Sequence, residues 1–206
     1  PRRYSSAASD VYKRQPQLTA TSYLLLDAKT LKIISENNAE QSTGLASITK
    51  IMTAYVVADQ IQKGYLSGSS LVKISEKCWR MEGSRMFIKE GTEVSVSDLM
   101  LGIIVQSGND ASCALAEHIA GSEYDFAELM NDYARQMNLE ETNFMNPTGL
   151  PDVNHYSTAE DIAKLSIKLI QDFPETYKIF SQKEFTYNEI RPVSYTHLTL
   201  PTSNDV

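Results

Sequence analysis

Ser47-Ile48-Thr49-Lys50 places a hydroxyl and an amine three residues apart at the head of a helical pattern. At that spacing the two side chains share one helix face and can reach one another. A serine hydroxyl is a weak nucleophile until a neighbouring base takes its proton. Lysine can be that base once burial and nearby charge lower its pKa. The N–H groups of a first helical turn would also favour negative charge developing beside Ser47. Spacing alone does not single the pair out, because Ser70-Leu71-Val72-Lys73 has the same pattern. A second candidate is Ser107-Gly108-Asn109, a polar break between two apolar segments, where a fixed loop suits a site. Ser35-Glu36-Asn37 matches that pattern too.

The elements that must carry these groups are mostly helical. A helix is expected from about Ser47 to Lys63, with Ile51, Met52, Tyr55, Val56 and Ile61 as its stripe and Gly64 at its end. Asp98–Val105 is almost wholly apolar and reads as the most buried helix, with Ser97 as its cap. Helices are also expected over Asp110–Ala120, after Ser122, and from the capping box Ser157-Thr158-Ala159-Glu160 to Gln171. Tyr23–Asp27 and Leu31–Ser35 read as a hairpin turning at Ala28–Thr30, and Leu71–Ile74 as a short strand. Residues 80–94 read as short extended pieces bent at Gly83 and Gly91, and Asn143–Tyr156 as a loop.

Composition narrows the function classes. The chain has 206 residues, is 42% apolar and 22% charged, and carries a net charge of −7, which argues against a binder of nucleic-acid backbones. No window holds 18 uninterrupted apolar residues. Two cysteines, Cys78 and Cys113, allow at most one disulfide, and with three scattered histidines they offer no metal-site spacing. Cys113 reads as a buried small hydrophobe, and Cys78 as a packing residue. His118 reads as a helix residue, and His155 as a loop residue at a helix entrance where it could face a cleft.

Taken together and in order, the motifs resemble the serine-type D-alanyl-D-alanine carboxypeptidases, the low-molecular-weight penicillin-binding proteins of peptidase family S11. The likeness rests on ASITKIMTAYVV at 46–57, EGSRMFIKEG at 82–91, and SVSDLMLGIIVQSGNDASCALAEHIAGS at 95–122. FAELMNDYARQMNL at 126–139, TNFMNPTGL at 142–150 and YSTAEDIAKLS at 156–166 extend it. The resemblance implies an α/β (α+β) fold of the penicillin-binding protein and serine β-lactamase-like transpeptidase type, a helical cluster plus an antiparallel sheet. It implies Ser47 as nucleophile, Lys50 as general base, Ser107 as a proton-relaying hydroxyl, and Asn109 as the amide that holds substrate and helps position Lys50. The implied reaction removes the terminal D-alanine of a peptidoglycan stem peptide outside the cytoplasmic membrane. β-Lactams are the implied covalent inhibitors, and no metal or cofactor is called for.

The same resemblance exposes a departure. The family's Lys-Thr-Gly strand, which engages the substrate carboxylate and completes the oxyanion hole, has no counterpart here. Loss of one oxyanion donor costs about 2.7–4 kcal/mol, and helices around Ser47 would be left with unpartnered apolar faces. The chain as written is therefore expected to be inactive or poorly folded, with the later sheet strands missing. SDVYKRQ at 9–15 and PVSYTHLTLPTS at 192–203 resemble translated adapter sequence. The expected organisation is a non-native extension over 1–15, a partial catalytic domain over 16–191, and a non-native tail over 192–206. The end segments carry +3 and −1, so the middle carries −9 of the total −7. Rival readings are a β-lactamase, a D,D-endopeptidase of the same fold, and a non-catalytic peptidoglycan-binding chain.

Overall fold

A computed structural model describes residues 18–189. The end segments set apart by composition, 1–15 and 192–206, lie outside the described residues.

Lys50–Gln62 forms α1, entered through a 3-10 turn at Ala46–Thr49. Its residues from Met52 to Ala58 are all buried, so α1 is a central helix rather than an amphipathic one. On one side Ala54 and Val57 join a core with Val72, Ile74, Leu99 and Ile103. On the other, Met52, Tyr55 and Val56 pack with Phe126, Met130, Phe144 and Leu165.

The expected helices form, with shifted ends. Val96–Gln106 is α3 and follows the short helix α2, Glu76–Trp79, which the sequence reading missed. Ser95 rather than Ser97 caps α3, because its hydroxyl accepts from the Asp98 N–H. Eight of the eleven residues of α3 are buried, the largest share among the described helices as expected, ahead of eight of twelve in α4 (Asn109–Ala120) and eight of thirteen in α1. Glu123–Gln136 is α5, capped by Ser122 as expected. Thr158 rather than Ser157 caps α6, Ala159–Asp172, accepting from the Asp161 N–H. Pro174 opens α7, Pro174–Ile179, at a position where its missing N–H costs nothing.

Three antiparallel strand pairs brace the helices. β1 (Tyr23–Leu26) pairs with β2 (Ile33–Asn37) as the expected hairpin, with an irregularity between Leu25 and Leu26. β4 (Leu71–Lys73) pairs with β5 (Glu93–Ser95), the latter beginning at the end of the 80–94 stretch read as short extended pieces. The pair that matters most for the site is β3, Thr43–Gly44, against β6, Tyr156–Ser157. It fastens the segment just before Ser47 to the end of the 143–155 loop.

The expectation of bare apolar faces is met in one place only partly linked to Ser47. A groove of about 780 Å³ runs between the hairpin and α6, lined by Leu24, Leu26, Ile48, Ile162 and Ile170. The helices α1, α3 and α4 themselves are well covered, so the expectation of a poorly packed surround does not hold for them.

Candidate active site

Ser47 lies exposed in the 3-10 turn, and Lys50 is buried behind it with 5% of its surface accessible. Lys50 Nζ stands 3.2 Å from Ser47 Oγ, 2.8 Å from Asn109 Oδ1 and 2.6 Å from the Thr148 carbonyl oxygen. Those three neighbours are not equivalent. An amide oxygen and a peptide carbonyl can only accept, whereas a hydroxyl can also donate. A neutral lysine has two N–H bonds and one lone pair. Placing the N–H bonds on Asn109 and Thr148 turns the lone pair toward Ser47. Burial brings the Lys50 pKa down to about 8, opposed in part by the negative charge of Asp110.

Asn109 opens α4, and both ends of its amide are assigned. Its Oδ1 faces Lys50, and its Nδ2 donates to the Glu82 carbonyl at 2.7 Å. Glu82 belongs to a segment held against the start of α4. The Asn109 N–H donates to Ser84 O, and the buried Asp110 carboxylate accepts from the N–H groups of Met86, Phe87, Ile88 and Ala111. Burial pushes the Asp110 carboxyl pKa up while those four donors pull it back. Phe87 is held at φ 64°, a conformation rare for an aromatic residue.

Ser107 caps α3 in the left-handed region at φ 55°, two residues before Asn109. Its Oγ is buried and has no hydrogen-bond partner among the described residues, nor does the amide of neighbouring Gln106. Ser47, Lys50 and Asn109 thus form one hydrogen-bonded chain, and the Ser107 hydroxyl stands outside it. Ala46, immediately before Ser47, also has a positive φ of 45°. Such positions cost about 1–3 kcal/mol each and persist where surrounding packing enforces them.

The look-alike motifs come apart. Ser70 Oγ accepts from the Ser67 N–H in a surface turn, Lys73 is exposed on β4, and Ser35 is within β2. The cysteines correct their reading: Cys78 and Cys113 are joined in a buried disulfide linking α2 to α4, so Cys113 is not a free hydrophobe. Their sulfurs lie within 4.8 Å of a Glu117 carboxylate oxygen. With both sulfurs bonded to each other, only that carboxylate is left as a metal donor.

Sequence reasoning missed the contribution of the 143–155 loop. Thr148 acts through its main-chain carbonyl, which no side-chain motif encodes. The loop's shape was more legible: Asn146 Oδ1 accepts from the N–H groups of Thr148 and Gly149 in a turn typical of Asn-x-x-Gly. Gly149, at φ +83°, comes so close to Ala46 that a Cβ there would sit 1.8 Å from the Ala46 oxygen. His155 is buried and bonded to Thr49, and it also forms part of a cleft wall, as a position at the cleft would have it. That cleft, of about 480 Å³, is walled further by Leu45, Ala46, Gly149, Leu150 and Val153.

Residues 9–205 match the family described as Peptidase_S11: D-alanyl-D-alanine carboxypeptidase. The chain belongs to this family. Among S11 relatives, it is 45% identical over 179 residues to the D-alanyl-D-alanine carboxypeptidase DacA of Haemophilus influenzae. That match covers 85% of this chain and 46% of the relative. It is 31% identical to a D-alanyl-D-alanine endopeptidase of Escherichia coli, covering 99% of this chain and 63% of that one. The crystal structure of penicillin binding protein 5 from Haemophilus influenzae superimposes with a TM-score of 0.85 at 44% identity, covering 87% of this chain and 53% of that one. The S11 chain described here therefore spans about half the length of these curated relatives.

Proposed function

We propose that this S11 chain carries the acylating half of a serine-type D-alanyl-D-alanine carboxypeptidase site. The observation that carries the reading is the buried Lys50 amine, whose two carbonyl neighbours leave its lone pair to Ser47. Ser47 Oγ bonds to the carbonyl carbon of the penultimate D-alanine while its proton passes to Lys50 Nζ. Collapse of the tetrahedral adduct breaks the C–N bond, and the terminal D-alanine leaves with that proton. Ser107, whose buried hydroxyl has no hydrogen-bond partner among the described residues, is the group proposed to relay it. Water then attacks the acyl-enzyme, with Lys50 again taking the proton, and Ser47 is regenerated. Asn109 orients Lys50 and has one amide hydrogen left for the substrate backbone.

β-Lactams would acylate Ser47 as substrate mimics, in keeping with the penicillin binding protein that the fold resembles. Residues 16–191 are proposed as the native-like part of the catalytic domain, and the site as extracytoplasmic. The Cys78–Cys113 disulfide fits an oxidising compartment. No helix among the described residues is long and apolar enough to cross a membrane.

The test is release of D-alanine from a stem pentapeptide together with mapping of a penicillin adduct by mass spectrometry. Adduct on the Ser47 peptide supports the reading, formed slowly because this chain has no Lys-Thr-Gly strand to complete the oxyanion hole, and D-alanine release should be correspondingly weak. An absent adduct on a folded chain overturns it. The 31% identical endopeptidase favours a second substrate, so cross-linked muropeptides belong in the same assay. Rapid penicillin turnover would instead make the chain a β-lactamase.

A further inference from the structure

We infer that His155 is a positioning residue for Lys50, acting through Thr49 and the 143–155 loop. The inference rests on the proposed Ser47–Lys50 chemistry. The His155 ring is 4% exposed and packs edge-on against Phe144 at 5.8 Å. Its Nδ1 accepts from the Met145 N–H at 3.1 Å. A backbone N–H cannot accept, so Nδ1 carries no proton and the neutral ring bears its hydrogen on Nε2. That Nε2–H donates to Thr49 Oγ1 at 2.7 Å.

One side chain therefore bridges the residue before Lys50 and the first part of the loop that supplies the Thr148 carbonyl. Two further ties lie between them: Thr53 Oγ1 donates to Pro147 O at 2.7 Å, and Lys50 itself bonds Thr148 O. The loop base is closed by paired bonds between Asn143 and Tyr156. The His155–Thr49 bond joins the residue beside the lysine to the start of the loop at Met145, in parallel with the Thr53–Pro147 tie. Losing it loosens one of the two side-chain ties and lets Thr148 O shift relative to Nζ. Lys50 then loses the acceptor that turns its lone pair, and water gains access to the amine. Misplacement on the scale of 1 Å at a reacting group can cost about 100-fold in rate.

The experiment follows the Lys50 13Cε resonance with pH in lysine-labelled protein, assigned with Lys50→Arg, alongside the rate of acylation by a fluorescent penicillin. Wild type should titrate at about 8. His155→Ala should move that midpoint toward ordinary lysine values and slow the acylation step about 10- to 100-fold, with the penicillin's non-covalent affinity little changed. His155→Gln, which keeps a donor for Thr49, should recover much of both. If His155→Ala does not fold, Thr49→Val removes the same bond with the shape preserved and should give the same pair of changes. A lowered melting temperature with unchanged Lys50 midpoint and acylation rate would overturn the inference and leave His155 purely structural. If folded wild type is never acylated, the functional reading fails. A His155-dependent Lys50 midpoint in that protein would still establish the positioning.

Discussion

The Thr148 carbonyl oxygen meets Lys50 Nζ at 2.6 Å, across 98 positions of sequence. This contact sets the site apart from a bare Ser-x-x-Lys turn, because it supplies the second fixed acceptor that a neutral lysine needs. The segment delivering it is held by a glycine turn, a histidine and a threonine hydroxyl, none of which touches Ser47 through a side chain.

Gly149→Ala tests how closely that segment must approach. The new methyl group would sit 1.8 Å from Ala46 O in a backbone at φ +83°. Either the loop or the Ser47 turn must shift. Acylation by penicillin should fall at least about tenfold, while urea denaturation should register a loss of about 1–3 kcal/mol. Gly64→Ala, at φ +77° with open space around it, should cost stability alone.

Asp110→Asn removes one of the two carboxylate oxygens that receive four backbone N–H groups. Each oxygen takes two of the four, so two buried donors lose their acceptor, each at about 1–3 kcal/mol. The variant should lose about 2–6 kcal/mol in chemical denaturation. Its Lys50 should also titrate lower than in wild type, since the opposing negative charge is gone.

The disulfide closes a loop spanning 35 positions between Cys78 and Cys113. Chain-entropy arguments put its contribution at about 4 kcal/mol. Thiol titration of the unfolded, unreduced chain should find no free cysteine, and the doubly alanine-substituted variant should melt well below wild type.

His155 gives stability a pH dependence of defined sign. Burial lowers its folded-state pKa below the ordinary value of 6.5, with the charge of Asp152 in the same loop opposing. The unfolded chain thus binds the proton more readily. Its contribution is complete above about pH 6.5 and is lost as pH falls through the lowered folded value. Denaturation midpoints at pH 7.5 and 5.5 should differ in that direction, and His155→Gln should flatten the difference.

The residues that act through side chains were the ones legible in sequence. Ser47, Lys50 and Asn109 announce themselves by type, order and surroundings, and the apolar stripes of α1 and α5 foretell their helices. Thr148 could not be read that way, because a carbonyl belongs to every residue and only folding decides which one faces Nζ. The cap of α3 was not legible because two serines, Ser95 and Ser97, lie two positions apart, and Ser95 is the one where β5 ends against β4. Ser107 was legible as part of a polar break between apolar segments, yet its lack of a bond to Lys50 was not, since that depends on the left-handed turn at α3's end.

The most direct measurement is the pH profile of Ser47 acylation by a fluorescent penicillin, with Ser47→Ala and Lys50→Arg alongside. A buried lysine acting as base predicts a rate that rises with pH and levels off above about 8. Ser47→Ala should take no label, and Lys50→Arg should be slowed by about 10²–10⁴. Label that persists in Ser47→Ala, or a rate indifferent to pH and to Lys50→Arg, would contradict the account.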